Sequence, residues 1–282
     1  MHRWNLLAPR RRAALVAASV TCALFTLVGS AQASTLPTVT IAVSASSVTV
    51  GGALQSGAVN VVSTSTTKET AVILFAVKPG VSVAEVEAFV ADKSRVKDPN
   101  NADKYGTIAF DVEANPGSTT EAQTSLQPGQ YIVLTDEGEK PVVIRTTFTV
   151  APAASPAVLP TPEATVRSIE FAFRGPTTLR DGELVRFENE GFLVHMDIAF
   201  PVKSRAVARK VVKLLLAGKE KGLEKLVVGP PVTFAGPVSS GAYQQETVTA
   251  KPGWYVQACF METQDGRDHT LLGMERIFKI VK

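Results

Sequence analysis

The 282-residue sequence has few cysteines and histidines, two and three respectively. So few cysteines exclude a small fold held together by several disulfides. Charged residues are also sparse at 20%, while 45% of residues are hydrophobic, and this balance excludes a disordered chain. The apolar content is enough for about two domains of ordinary size. Because the formal charge is +3, the position of the positive charge decides whether a nucleic-acid or membrane-surface partner is expected.

The amino terminus accounts for the positive charge. Four arginines and no acid lie in residues 1–12, a mostly apolar uncharged run follows over 13–28, and Ala31-Gln32-Ala33 fits a cleavage site. This order predicts a signal peptide over residues 1–33 and an exported protein that is secreted, periplasmic or on the cell surface. The apolar run is shorter than the roughly 20 residues that span a bilayer, so we expect no integral membrane span after cleavage. Three consecutive arginines also fit a twin-arginine signal, and both export routes stay open.

Removal of residues 1–33 changes the inventory. The remainder has 25 basic and 26 acidic side chains, so we expect no nucleic-acid partner. It keeps one cysteine, Cys259, and two histidines, His195 and His269. One cysteine cannot form an intrachain disulfide, and a lone thiol in an exported protein indicates a reactive group or a metal ligand.

A proline-rich segment divides the remaining chain. Residues 151–164 hold four prolines and no apolar period, which predicts a linker. The flanking halves, 34–150 and 165–282, both begin and end with alternating β-rich segments. Each half is therefore predicted to be a β-sandwich domain, and the fold class all-β.

The two halves resemble each other in the order of their segments, which predicts a duplicated domain with a short inserted helix in each copy. In the alignment Thr70 stands where the second half has His195, and Thr135 stands where it has Cys259. The first half is therefore expected to lack the chemistry of the second. The matched segments are 126–135 with 249–259, 70–78 with 195–203, and the helix-like stretches 82–90 with 206–217.

Charge also separates the halves, with −4 over 34–150 and +4 over 165–282. Much of the positive excess lies between Arg205 and Lys225, in a segment with a helical apolar period. Such a helix could dock an acidic partner or anionic lipid. The favoured interpretation is an ordinary surface helix whose Val207, Val211 and Leu214 pack on a sheet.

Four residues of the second half form a candidate metal site: His195, Cys259, His269 and Met274. Nine residues separate the cysteine from His269, and four separate His269 from the methionine. Taken singly, each is more often a structural side chain, but together they match the ligands that copper prefers, with two His and one Cys in a plane and a long axial Met. Zinc would accept the Cys and both His and leave the methionine without a role, so it is the less favoured metal.

This order of residues resembles the cupredoxins, the blue copper protein family. The likeness covers 166–282 and is strongest at 189–195 and 252–274, which include Cys259-Phe260 and Gly273-Met274. The resemblance implies a Greek-key β-sandwich with one copper ion in a type 1 site. It also implies electron transfer with a redox partner, or copper holding, and the positive second half favours an acidic partner. The first half would be a cupredoxin-like duplicate without metal ligands.

Other classes of protein are less favoured. Multicopper oxidases and copper nitrite reductases share this sandwich, but no histidine remains for further copper centres after His195 and His269, so we expect no enzyme of this kind. A hydrolase lacks a Gly-x-Ser-x-Gly motif and a third group to orient a Cys–His pair. The alternative is a metal-free extracellular scaffold or adhesion protein with a relic site.

Two local features require a particular geometry. The long loop after Cys259 needs a turn, for which Asp265-Gly266 is suitable. Strand alternation places the polar Gln257 inward beside Cys259 and puts His195 out of phase with the rest of its strand. We therefore expect either a bulge after His195 or a ligand at the end of the strand.

Overall fold

The computed structural model describes residues 35–67, 69–96, 98–137, 142–219 and 221–282. The predicted signal peptide at 1–33 lies outside these residues. Within the described ranges, no helix has both the length and the apolar character needed to cross a membrane. Strands dominate the structure, which confirms the predicted all-β class.

Over its described residues the first half contains eight strands, with two short helices and a 3-10 turn between the fourth and fifth. The strands are β1 (Thr38–Val43), β2 (Val48–Gly52), β3 (Gly57–Ser65), β4 (Thr70–Val77), β5 (Gly106–Ala114), β6 (Thr119–Leu126), β7 (Gly129–Asp136) and β8 (Val143–Val150). The helical elements are α1 (Val83–Ala91), α2 (Lys93–Val96) and the 3-10 turn Pro99–Lys104.

The described part of the second half contains nine strands and one longer helix. The strands are β9 (Ala164–Ile169), β10 (Ala172–Arg174), β11 (Thr178–Arg180), β12 (Leu184–Asn189), β13 (His195–Val202), β14 (Val232–Val238), β15 (Tyr243–Thr247), β16 (Gly253–Ala258) and β17 (Glu275–Val281). The helical elements are α3 (Arg205–Leu216) and the 3-10 turns Leu223–Lys225 and His269–Leu272.

Each half is a sandwich of two sheets. In the first half the strands β2, β1, β3 and β6 face β5, β4, β7 and β8; in the second, β10, β9, β12 and β15 face β11, β17, β16, β13 and β14. Period-2 alternation builds the cores, as in β1, where every second residue is buried. Phe110 of β5 and Phe234 of β14 are fully buried in the two cores.

The two halves are joined through their sheets. Strands β6 and β15 are neighbours, so one eight-stranded sheet runs through both halves, and Gln245 donates from Nε2 to Gln123 Oε1 at 2.9 Å. Strands β5 and β14 also meet: Ser239 donates its N–H to the Ile108 carbonyl at 3.0 Å, and Ile108 N–H donates to Ser239 Oγ at 2.9 Å. The interface therefore includes backbone as well as side-chain hydrogen bonds.

The predicted linker lies against both halves. Residues 152–163 form no helix or strand, in keeping with their prolines. Ala58 N–H donates to the Ala157 carbonyl at 2.9 Å, and Gln245 Nε2 donates to the Pro160 carbonyl at 3.1 Å. These bonds fix the segment on the shared sheet.

The predicted surface helix is α3. Its residues Ala208, Val211 and Leu215 are buried against the sheet of β13 and β16, and Val207 and Leu214 are partly buried in the same cluster. The basic residues thus lie on the other face of an ordinary amphipathic helix. The packing agrees with the favoured sequence-based interpretation.

Candidate metal centre

His195 is the first residue of β13, and a short loop from β12 delivers it. Asn189 holds this loop: its Nδ2 donates to the carbonyls of Leu193 and Val238 at 2.8 and 2.9 Å, and its Oδ1 accepts from Gly191 N–H at 2.9 Å. A Cβ atom at Gly191 would lie only 2.8 Å from His195 Nε2. The glycine therefore lets the imidazole pack directly on the loop backbone.

A bulge resolves the phase problem at His195. The pairing of β13 with β14 shifts register between His195 and Asp197 and again between Asp197 and Ile198. Such an irregularity re-aims side chains relative to a regular strand. His195 is also the first residue of its strand, so both of the features expected from the sequence are present.

Cys259 follows the last residue of β16 and begins the loop that carries the other candidate ligands. The loop reverses at Asp265-Gly266, where Gly266 has a φ of +77° and donates its N–H to the Thr263 carbonyl at 2.8 Å. This is the predicted turn, and the positive φ explains why glycine suits it. The 3-10 turn His269–Leu272 begins three residues after Gly266.

Backbone hydrogen bonds tie the two ends of this loop together. Met274 N–H donates to the His269 carbonyl at 3.0 Å, and Cys259 N–H donates to the Met274 carbonyl at 3.2 Å. Met274 is fully buried in the same core cluster as Cys259. The loop therefore brings the cysteine, the second histidine and the methionine into one region.

The structure brings His195, Cys259 and His269 into a compact triangle. The two Nδ1 atoms lie 3.2 Å apart, and Cys259 Sγ lies 3.8 Å from His195 Nδ1 and 3.4 Å from His269 Nδ1. A point inside this triangle lies about 2 Å from all three atoms, which is close to the bond lengths of zinc to His nitrogen and Cys sulfur. Within the described ranges this is the one His/Cys/Asp/Glu group close enough to share a metal ion.

The two ring nitrogens of each histidine have different surroundings. Both Nδ1 atoms face the triangle, while both Nε2 atoms are buried and form no hydrogen bond among the described residues. With Nδ1 as the ligand atom, the proton of each neutral imidazole resides on Nε2. The donor set of two nitrogens and one sulfur fits copper and also zinc, and the Met274 thioether is buried in the same hydrophobic core cluster as Cys259.

Burial sets the protonation of all three donors in the metal-free chain. It lowers the pKa of His195 to about 3 and that of His269 to about 4, so both imidazoles are neutral at physiological pH. It raises the pKa of the Cys259 thiol to about 12, although Met196 N–H donates to the sulfur at 3.4 Å. A metal ion would therefore have to displace one thiol proton.

Gln257 and its partners form a buried polar group beside the cluster. Its Nε2 donates to Asp197 Oδ2, and its Oε1 accepts from Arg276 Nε at 2.9 Å. Burial raises the pKa of Asp197 to about 7, against the attraction of the Arg276 charge. The inward Gln257 that alternation predicts is thus satisfied by an acid and a base from the two neighbouring strands.

Phe171 covers one side of the cluster and was not predicted. Its ring meets His269 edge-on, with centroids 5.2 Å apart and an interplanar angle of 78°. Its φ of +55° is rare for an aromatic residue and places it in the tight turn between β9 and β10. No sequence pattern marks this position, because the contact spans almost a hundred residues.

The sandwich and the donor triangle of the second half agree with what the sequence resemblance to the cupredoxins implies. No protein-family model matches the chain, and no curated protein is significantly similar to it.

Among solved structures, auracyanin B is 19% identical to the chain with a TM-score of 0.27, over 44% of this chain and 94% of that one. An auracyanin from the photosynthetic bacterium Roseiflexus castenholzii is 19% identical with a TM-score of 0.25, over 42% and 95%. A copper-containing nitrite reductase from Thermus scotoductus is 13% identical with a TM-score of 0.26, over 87% and 67%. Because all three TM-scores are low, the assignment of the site rests on its own geometry.

Proposed function

We propose that the chain is an exported protein that binds one copper ion in a type 1 site and uses it to transfer electrons or to hold copper. The observation that carries the proposal is the triangle of two Nδ1 atoms and one sulfur, with separations of 3.2 to 3.8 Å. When bound, copper supplies a one-electron couple. The proposed ligands are His195, Cys259, His269 and Met274.

The chain's own residues would hold and shield the ion. His195 is 1% exposed, and His269 and Cys259 are 0% exposed, so the donors are shielded from water. Neutral imidazoles offer their lone pairs without losing a proton, and the thiol would release its proton to solvent on binding. Loop hydrogen bonds and the Phe171 ring restrict movement of the donors, and a site that moves little when its charge changes favours electron transfer.

The proposal extends to the organisation and location of the protein. Residues 1–33 would direct export, and residues 34–150 and 165–282 would be duplicated domains of which only the second binds metal. A redox protein is the proposed partner, and the +4 charge of the second half favours an acidic one. Phe192, three residues before His195, is 90% exposed and would offer the redox partner an apolar contact near the site.

Copper titration tests this proposal. The chain without residues 1–33 is purified under reducing conditions, freed of metal and given one equivalent of Cu(II). We expect an intense visible band from charge transfer between the Cys259 sulfur and copper. Cys259→Ser should abolish the band, whereas the control Thr135→Ser, at the matching position of the first half, should leave it unchanged.

The other outcomes are equally informative. A colourless protein without tight copper binding contradicts the proposal and supports the alternative, a metal-free extracellular scaffold. Tight binding of zinc with indifference to copper would indicate a zinc site that leaves Met274 without a role.

A further inference from the structure

A side chain from the first half contacts the loop that delivers His195. Asn100, in the 3-10 turn Pro99–Lys104, accepts a hydrogen bond at its Oδ1 from the Val194 N–H at 2.7 Å. Val194 directly precedes His195 and is only 4% exposed. The bond therefore joins the two halves one residue away from a proposed ligand.

Asp98 fixes the orientation of the Asn100 amide. Its Oδ1 accepts from Asn100 Nδ2 at 2.7 Å and from the Asn100 backbone N–H at 3.0 Å. An amide can donate only from its nitrogen and accept only at its oxygen. Since Asp98 holds the nitrogen, the oxygen is left to face Val194 N–H, and we refer to these two residues as the Asp98–Asn100 clamp.

The clamp acts where the strand itself gives little support. The register shifts on both sides of Asp197 interrupt the regular ladder at the start of β13. Asn189 holds the same loop from within the second half, so His195 is held from two sides.

We propose that Asp98 and Asn100 are positioning residues of the metal centre, so that the ligand-less first half fixes the orientation of a ligand in the second. This inference rests on the proposed function and adds a role for the first half. Residues that orient a metal ligand typically change metal affinity by about 10- to 100-fold when they are removed.

The first test needs no metal. Amide hydrogen exchange is measured for the peptide that spans 190–196 in the metal-free chain, for the wild type, Asn100→Ala and Asn101→Ala. Asn101 is a matched control, because it lies in the same turn but donates to the Arg95 carbonyl within the first half. We expect at least tenfold faster exchange near Val194 in Asn100→Ala alone. Equal exchange in all three proteins overturns the clamp.

The second test uses copper. Asn100→Ala should weaken Cu(II) retention against a chelator by about 10- to 100-fold and shift the visible band, while Asn101→Ala should do neither. Asn100→Asp places two carboxylates together and should also weaken retention. The exchanged pair Asp98→Asn with Asn100→Asp keeps one amide and one carboxylate and should recover most of the lost retention, which a general loss of stability would not explain.

The two proposals fail in different ways. A wild-type chain that binds no copper overturns the proposed function and with it any role of the clamp at a metal. A wild-type chain that binds copper, with retention and spectrum unchanged in Asn100→Ala, overturns the clamp alone.

Discussion

Strand β4 of the first half begins with Thr70, whereas strand β13 of the second half begins with His195. The two hydroxyls that the sequence alignment places opposite His195 and Cys259 have ordinary partners: Thr70 Oγ1 donates to the Asp136 carbonyl at 3.3 Å, and Thr135 Oγ1 accepts from Arg145 Nε at 2.8 Å. The same positions can therefore be satisfied by hydrogen bonds alone. The sandwich of the first half therefore forms without metal ligands at these positions. Folding alone does not explain the donor cluster of the second half.

The largest expected effect is the release of a proton from the second half when copper binds to it. The thiol of Cys259 has a pKa of about 12 in the metal-free chain, and the two histidines have pKa values of about 3 and 4. Between pH 5 and 9 the thiol is therefore protonated and both imidazoles are neutral, so that binding releases one proton. Copper affinity should rise about tenfold per pH unit, or about 10⁴-fold over this range.

Competition with a chelator of known affinity at each pH measures this slope. Cys259→Ser, which keeps both histidines and all of the first half, should show no slope of this kind. A pH-independent affinity in the wild-type chain would mean that the sulfur is not the ligand.

The second effect concerns the two cores. Phe110→Ala and Phe234→Ala each remove a fully buried ring, and each should lower the free energy of unfolding by about 3–5 kcal/mol. Because one sheet runs through both halves, we expect the chain to unfold in one cooperative transition, and both variants should lower the midpoint of that transition.

Trp254 makes this comparison measurable, because it is the one tryptophan after residue 33 and lies in the second half. Urea unfolding is followed by its fluorescence and by far-ultraviolet circular dichroism. The two signals should shift together in Phe110→Ala. A shift in dichroism with unchanged fluorescence would show that the halves unfold independently.

The smallest effect compares the helix caps. Ser82 Oγ accepts from Glu85 N–H at 3.3 Å and donates to Glu85 Oε2 at 2.7 Å. Ser204 Oγ accepts from Val207 N–H at 3.3 Å and forms no reciprocal bond among the described residues. Each Ser→Ala variant should lower the free energy of unfolding, measured by chemical denaturation, by about 1 kcal/mol, with the larger loss at Ser82. The control Ser155→Ala, in the exposed linker, should change the free energy of unfolding by less than about 0.5 kcal/mol. Equal losses at Ser82 and Ser204 would contradict the expected difference between the two caps.

The sequence was sufficient to predict the all-β class, the two β-sandwich halves and the turn at Gly266, because these depend on local periodicity and turn chemistry. Alternation also indicated that Gln257 points inward, but it could not supply the partners Asp197 and Arg276, which come from neighbouring strands. The Asp98–Asn100 clamp left no trace in the pattern, because its bond spans 94 residues and ordinary surface turns carry the same residue types.

The shared sheet also limits how the chain can be divided. Strands β6 and β15 cover each other's edges, and either half produced alone would present that edge to solvent. Bare edges invite pairing with other chains, so isolated halves are candidates for aggregation even if each keeps its core. On the proposed duplication, the first half would serve the second by covering an edge strand that would otherwise be open to pairing.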